Sequence, residues 1–77
     1  MALFPSDYRL KRDMKLLGKS LEGHNIYKFK YHDDNREFVG VTAQEVLTKK
    51  PKAVVKLNTG YYAVDYSQID VDFKEVA

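Results

Sequence analysis

The chain has 77 residues, of which 44% are hydrophobic, and it contains no cysteine. This length fits one domain, residues 1–77, and the missing thiols exclude a disulfide framework and a thiolate zinc or iron–sulfur site. Thirteen basic and eleven acidic residues leave a net charge of +2, which is too balanced to indicate a nucleic-acid partner. Neither a membrane-spanning run nor a signal-peptide pattern occurs, so we expect no membrane partner and a cytoplasmic protein.

The first elements predicted along the chain are a turn of helix and a polar turn. Ser6 and Asp7 are both favourable N-cap residues, because their side-chain oxygens can accept from the free amides of a first helical turn. The following residues predict a helix that carries Leu10 and Met14 on one side and ends at Gly18, where the polar turn begins.

Two strands are predicted next. Residues 26–31 alternate in polarity, with Tyr27, Phe29 and Tyr31 on one face, which is typical of a half-buried strand. Residues 37–42 combine a phenylalanine with β-branched residues and predict a second strand.

The pattern then predicts a helix and a hairpin. Residues 43–50 form a short helix with Val46 and Leu47 facing inward, and lysines in its last turn complement the helix dipole. Residues 53–57 and 61–66 flank an Asn-Thr-Gly turn, and this arrangement predicts a β-hairpin.

The C-terminal tail, residues 67–77, is acidic and allows two structures. It either adds an edge strand through Ile69, Val71 and Phe73 or frays. With the preceding elements, the predicted fold is α+β: a small antiparallel sheet of about four to five strands with one or two short helices.

Ser6 and Lys11 are the candidate catalytic pair. In a serine–lysine dyad a neutral amine takes the serine proton and frees the oxygen to attack a carbonyl. A lysine with an ordinary pKa is almost fully protonated at neutral pH, whereas burial and nearby cations lower that pKa. By spacing alone, the two residues are far more often a helix cap and a solvated side chain. Because five residues turn about 500° in a helix, Ser6 must lie outside the helix, or the pair must form over a bend or between chains.

The remaining polar clusters favour ordinary roles. His24 and His32 do not have a metal-binding spacing, so we expect no metal site and no cofactor. A basic patch beside two tyrosines has the composition of a phosphate-binding and stacking surface, but lysines at a helix end and tyrosines on a strand are common without nucleic acid. These residues are Lys49, Lys50, Lys52, Tyr61 and Tyr62.

Four motifs occur in order along the chain: SDYRLKRDM at 6–14, GVTAQEV at 40–46, PKAVV at 51–55 and GYYAVDY at 60–66. Together they resemble the short form of the intramolecular chaperone auto-processing domain, the self-cleaving serine peptidase domain of phage tailspikes, tail fibres and endosialidases. The resemblance covers a core of residues 6–66, with a leader at 1–5 and the tail at 67–77.

The resemblance implies a reaction, a site and an assembly. Members of this family are cut immediately before the serine, so the bond would be Pro5–Ser6, with Ser6 as the nucleophile and Lys11 as the base. The domain would form a homo-oligomer, possibly a trimer, guide the folding of an attached phage fibre and release itself, in a host cytoplasm or a virion. Structural residues around the site would be Asp7, Gly40, Gln44, Glu45, Asp65 and Tyr66.

The residues themselves leave alternatives open. Residues 40–46 also read as a strand-to-helix junction, and Asp65 is expected to hold a backbone amide or an arginine such as Arg9 or Arg12. The chain is either the end of a longer fibre or a free-standing relative that no longer cleaves. In the second case its tyrosine-rich face would bind a virion or host protein, because tyrosine is favoured at protein interfaces.

Overall fold

The computed structural model describes all residues from 1 to 77, as one α-helix and seven β-strands in two antiparallel sheets. The three-stranded sheet has the order β1–β6–β5, with β1 at Leu3–Pro5, β6 at Tyr62–Asp65 and β5 at Val54–Lys56. The four-stranded sheet has the order β2–β3–β4–β7, at Lys11–Lys19, Asn25–Tyr31, Phe38–Gly40 and Lys74–Glu75. The helix, α1, is Ala43–Lys49, and short 3₁₀ turns lie at Tyr8–Leu10, Pro51–Ala53 and Tyr66–Gln68. The predicted α+β class is confirmed, with the strands divided between two sheets instead of gathered in one.

The predictions for the middle of the chain agree with the structure except at one side chain. Strands β3 and β4, helix α1 and the β5–β6 hairpin all occur where the patterns indicated them. Val46 is fully buried, but Leu47 is 39% exposed, so its predicted inward orientation is wrong. The buried face of α1 is formed by Ala43 and Val46, three residues apart, and a residue one position later lies about 100° further round the helix.

The helix predicted after Ser6 is wrong. Asp7 does act as a cap, accepting from the Arg9 amide, but it caps only the 3₁₀ turn, and the chain then enters the nine-residue strand β2. This strand pairs with β3 from Lys11 opposite Tyr31 to Lys19 opposite Asn25, with two interruptions of the register. Long-range pairing therefore overrides the local helical pattern, as tertiary context often does.

Both ends of the chain add strands. The leader forms β1 and pairs with β6, where Pro5 lies opposite Ala63. The tail adds an edge strand, as one of its two predicted structures required, but this strand is β7 at Lys74–Glu75 and pairs with β4. Val71 and Phe73 instead contribute side chains to the interior, since Val71 is buried and Phe73 stacks on other aromatic rings.

Two adjoining clusters make up the interior and enclose the candidate site. The first cluster lies between α1 and β6 and is aliphatic apart from Tyr66; it consists of Val41, Ala43, Val46, Ala53, Val64, Tyr66 and Val71. An aromatic cluster continues from it across the four-stranded sheet and consists of Phe4, Phe29, Tyr31, Phe38 and Phe73. The single α-helix is far too short to cross a membrane.

Candidate active site

Ser6 lies in the connection between β1 and the first 3₁₀ turn, and it is fully buried. Its amide donates to the Tyr62 carbonyl at 3.1 Å, and its carbonyl accepts from the Ala43 amide at 2.7 Å. The three-stranded sheet and the start of α1 thus fix its backbone from both sides. Ser6 is outside any helix, which is one of the arrangements that its spacing from Lys11 allowed.

The Ser6 hydroxyl bonds to the Tyr66 phenol. The two oxygens, Ser6 Oγ and Tyr66 Oη, are 2.7 Å apart, and the Val41 amide donates to the same Tyr66 oxygen at 3.0 Å. Since the Val41 amide occupies one acceptor position of the phenol oxygen, Tyr66 can donate its own proton to Ser6. That arrangement leaves the Ser6 proton free to be given to a base.

Gly40 makes room for Tyr66. A Cβ atom on Gly40 would lie 2.5 Å from the Tyr66 hydroxyl and 3.2 Å from a Phe73 ring carbon. The first distance is shorter than the non-bonded contacts that Cβ atoms make in proteins, so glycine at position 40 leaves the space in which the phenol reaches Ser6.

Lys11 begins β2, and its side chain points into the protein. The residue is only 5% exposed, its Nζ donates to the Val41 carbonyl at 2.5 Å, and Nζ lies 3.8 Å from the centre of the Phe29 ring. Burial lowers the pKa of Lys11 to about 7, against a smaller opposing effect of the Asp7 charge. About half of the amine is therefore uncharged at neutral pH, which a base requires.

The cause of this lowered pKa differs from the one expected from the sequence. We expected burial together with nearby cations, but only burial lowers the pKa of Lys11. Arg9 and Arg12 are each paired with a carboxylate, those of Asp7 and Asp13, and none of the ion pairs in the chain includes Lys11.

Ser6 and Lys11 do not bond to each other directly, but both are held next to Val41. Ser6 bonds to the Tyr66 phenol, which accepts from the Val41 amide, and the Lys11 amine donates to the Val41 carbonyl. Val41 is therefore the residue that relates the two candidate catalytic groups. Direct proton transfer requires the amine to exchange the Val41 carbonyl for the Ser6 hydroxyl.

The carbonyl of Pro5, just before Ser6, also has a specific partner. The Tyr31 phenol donates to this oxygen at 2.7 Å, and burial raises the pKa of Tyr31, which keeps the phenol protonated. Sequence reasoning placed Tyr31 only on the buried face of a strand. The contact joins residues 26 positions apart, and no short motif indicates it.

Asp7 fastens the segment after Ser6 to the three-stranded sheet. Its buried carboxylate accepts from the backbone amide, Nε and Nη2 of Arg9, at 3.0, 3.0 and 2.7 Å, and from the Tyr62 amide at 3.1 Å. The hydrogen bonds from the Arg9 guanidinium hold the pKa of Asp7 well below its ordinary value. Asp7 therefore remains ionised and has a positioning role next to the nucleophile.

Gln44 and Glu45, at the start of α1, contact two different parts of the chain. Gln44 Oε1 accepts from the Tyr8 amide at 3.0 Å, which ties the first 3₁₀ turn to the helix. The Glu45 carboxylate accepts from the hydroxyls of Tyr27 and Thr42, at 3.1 and 2.8 Å, and so joins the helix to β3. Neither side chain hydrogen-bonds to Ser6, Lys11 or the Pro5 carbonyl.

Asp65 holds the leader in place. Its carboxylate accepts from the Ala2 amide at 3.0 Å and from the side chains of Gln68 and Ser67 at 3.0 and 2.7 Å. These hydrogen bonds, that of Gln68 above all, lower the pKa of Asp65. A backbone amide is thus one partner, as expected, whereas neither arginine suggested from the sequence bonds to Asp65.

One set of possible metal ligands was not anticipated from the sequence. Ligand atoms of Glu22, His24 and Asp70 lie within 4.8 Å of one another, with the histidine buried and both acids exposed. The spacing argument considered only the two histidines, and the turn and the tail that bring these three side chains together are distant in sequence. His24 Nδ1 is buried and has no hydrogen-bond partner, and the absence of a metal site stays a prediction.

Comparison with known families identifies the family of the chain. A family model for peptidase S74, described as the chaperone of endosialidase, matches residues 6–55. The chain belongs to this peptidase S74 family of intramolecular chaperones. The family resemblance inferred from the sequence motifs is therefore confirmed, and the match begins at Ser6 and includes Lys11. No curated protein and no solved structure matches the chain significantly.

Proposed function

We propose that this peptidase S74 domain is a tail-fibre-type intramolecular chaperone that cleaves its own Pro5–Ser6 bond, with Ser6 as the nucleophile and Lys11 as the base. The observation that carries the proposal is the Lys11 amine, which is buried, free of any ion pair and has a pKa of about 7. It donates to the carbonyl of Val41, whose amide bonds to the same Tyr66 phenol as Ser6. An amine in this state can accept a proton near neutral pH, whereas an ordinary surface lysine cannot.

The reaction begins within the Pro5–Ser6 linkage. Lys11 takes the Ser6 hydroxyl proton, and Oγ adds to the Pro5 carbonyl carbon to form a tetrahedral oxyanion. On collapse the carbon–nitrogen bond breaks, and the Ser6 nitrogen takes the proton back from the Lys11 ammonium. Ser6 then carries a free amine, and Pro5 is joined to it as an ester through Oγ.

Water completes the cleavage. Pro5 is exposed, so a water molecule can reach the ester carbon, and neutral Lys11 can again serve as the base. The hydroxide oxygen bonds to the Pro5 carbon, and Oγ leaves with a proton. The products are a carboxylate on Pro5, whose proton passes to the new Ser6 amine, and a domain that starts at Ser6. The Ser6 hydroxyl and the Lys11 amine return to their initial states.

The chaperone part of the proposal is supported by the open edge of a strand. Strand β2 lies at the edge of the four-stranded sheet, and an open edge is a surface to which another chain can add. Apolar side chains at and beyond this edge are exposed: Leu16 by 57%, Leu17 by 51% and Leu21 fully. We assign this edge to self-association into the oligomer, a trimer in the family form, that would align the chains of an attached fibre.

The cleavage proposal is tested by intact-mass measurement of the purified 77-residue chain during incubation at pH 8. Wild type should lose residues 1–5, whereas Ser6→Ala and Lys11→Met should keep their full mass. Lys15→Met is the matched control, because Lys15 is an exposed lysine on the same strand, and it should cleave like wild type. An unchanged wild-type mass, or cleavage of Lys11→Met at the wild-type rate, would contradict the proposal.

A second function, a protein-binding module that does not cleave, is favoured by an apolar groove. The groove has a volume of about 470 Å³ and passes beside Pro5. Its apolar lining includes Phe4, Leu10, Tyr31, Phe38 and Phe73, and aromatic surfaces of this kind bind protein partners well. If wild type and Ser6→Ala both keep their mass at every pH, while the chain binds a phage fibre or another protein through this groove, the binding function replaces cleavage.

A further inference from the structure

We propose that Tyr31 is a further catalytic residue, whose phenol stabilises the oxyanion that forms on the Pro5 carbonyl. The inference rests on the cleavage reaction proposed above and adds the group that acts on the electrophile. The Tyr31 hydroxyl already donates to the Pro5 oxygen at 2.7 Å. That oxygen belongs to the bond that breaks, so the contact is with a reacting atom.

The pairing of two strands aims both groups at the same bond. Tyr31, the last residue of β3, lies opposite Lys11, the first residue of β2. Lys11 reaches the Val41 carbonyl next to the Ser6–Tyr66 pair, whereas Tyr31 reaches the Pro5 carbonyl. A single cross-strand pair thus supplies the base for the nucleophile and a hydrogen-bond donor for the carbonyl.

Packing holds the phenol in its position. The Tyr31 ring makes edge-to-face contacts with Phe29 and Phe38, each with ring centres 5.3 Å apart. Such contacts fix the ring without using its hydroxyl. A phenylalanine at position 31 can therefore keep the packing and lose only the hydrogen bond, which makes the substitution informative.

The phenol acts more strongly on the transition state than on the starting amide. When Ser6 Oγ bonds to the Pro5 carbon, the π electron pair of the carbonyl moves to its oxygen, which becomes negative. A fixed donor gains more from this oxygen than from a neutral carbonyl, and the difference lowers the barrier. When the carbon–nitrogen bond breaks, the pair returns to the carbonyl, and Tyr31 keeps its proton throughout.

The phenol and the amine can work in the same pH range. Burial lowers the pKa of Lys11 to about 7 and raises the pKa of Tyr31 above its ordinary value. Between these values the base is neutral and the donor still carries its proton. Removing the Tyr31 hydroxyl should therefore lower the cleavage rate at all such pH values without moving the midpoint that Lys11 sets.

The test compares the cleavage rates of wild type, Tyr31→Phe and Tyr27→Phe by intact mass between pH 6 and pH 9. Loss of one oxyanion donor lowers a rate by roughly 100-fold or more, so Tyr31→Phe should cleave about 100-fold more slowly, with an unchanged midpoint. Tyr27→Phe is the matched control, because it removes a tyrosine hydroxyl from the same strand that bonds to Glu45 and not to Pro5. It should cleave within about two-fold of wild type.

A second measurement separates catalysis from packing. The infrared stretch of a ¹³C-labelled Pro5 carbonyl is recorded in the uncleaved Ser6→Ala chain with and without Tyr31→Phe, and loss of the hydrogen bond should raise its frequency. Cleavage of Tyr31→Phe at the wild-type rate, or an unchanged stretch, overturns the role of Tyr31 while the cleavage reaction stands. A wild type that does not cleave overturns both proposals together.

Discussion

Replacing Lys11 with methionine should remove a specific pH dependence from the stability of this protein. Burial lowers the Lys11 pKa from 10.5 in the unfolded chain to about 7 in the folded one. Between those two values the unfolded chain binds more protons than the folded chain, so unfolding takes up a proton. The free energy of unfolding of the lysine-containing protein should therefore rise with pH from about 7 to about 10.5. Below pH 7 the folded protein bears the full cost of burying a charged amine.

The size of this pH dependence follows from the difference between the unfolded and folded pKa values of Lys11. A change of about 3.5 pKa units corresponds to about 5 kcal/mol at about 1.4 kcal/mol per unit, and this is the penalty below pH 7. Integrated between pH 6 and pH 9, the gain in stability is about 2.5 kcal/mol. Methionine also leaves the Val41 carbonyl without its partner, which costs about 1–3 kcal/mol at every pH. The pH-dependent part is therefore the diagnostic one.

The assay is urea unfolding at half-unit steps from pH 6 to pH 9, performed in the Ser6→Ala background so that the chain stays intact. The difference in unfolding free energy between the lysine and methionine proteins should change by about 2.5 kcal/mol over this range. Lys15→Met, at an exposed position of the same strand, should show no such change. If the difference between the Lys11 proteins is constant with pH, Lys11 is not the buried, readily deprotonated amine described above.

Four further substitutions test the packing and the hydrogen bonds around the site. Gly40→Ala should lower the free energy of unfolding by about 1–3 kcal/mol, because its Cβ would meet the Tyr66 hydroxyl; a neutral effect in urea unfolding would contradict that close approach. Val46→Ala should lower it by about 2 kcal/mol and Leu47→Ala by under 1 kcal/mol, since Val46 is buried and Leu47 is not; equal effects would contradict the assigned helix face. Asp65→Asn should lower the melting temperature at pH 7, and the gap from wild type should narrow progressively as the pH falls from about 4 towards the lowered folded-state pKa of Asp65. A gap of constant size below pH 4 would show that the carboxylate charge is unimportant.

Elements with a local pattern could be predicted from the sequence. The alternation of Tyr27, Phe29 and Tyr31 is a property of six consecutive residues, and it correctly indicated β3. The Asn-Thr-Gly turn between β5 and β6 is equally local. In both cases the chemistry that determines the structure lies within a few residues, so no knowledge of the fold was needed.

Elements that depend on distant partners could not be predicted in the same way. The residues after Ser6 contain a helical pattern, but their partner is β3, and only pairing with that strand makes β2 extended. The burial of Lys11 likewise depends on Val41 and Phe29, which are distant in the sequence. The family motifs indicated the candidate residues Ser6 and Lys11, whereas their environment required the fold.

The central claim is that Lys11 acts as the base that allows Ser6 to break the Pro5–Ser6 bond, and the rate of that cleavage as a function of pH tests it most directly. Intact mass, followed in time on the wild-type chain from pH 5 to pH 10, gives the rate at each pH. The rate should rise through a midpoint near pH 7, the pKa of Lys11, and then reach a plateau. A chain that keeps its full mass at every pH, or a rate that is still rising at pH 10, would contradict the account.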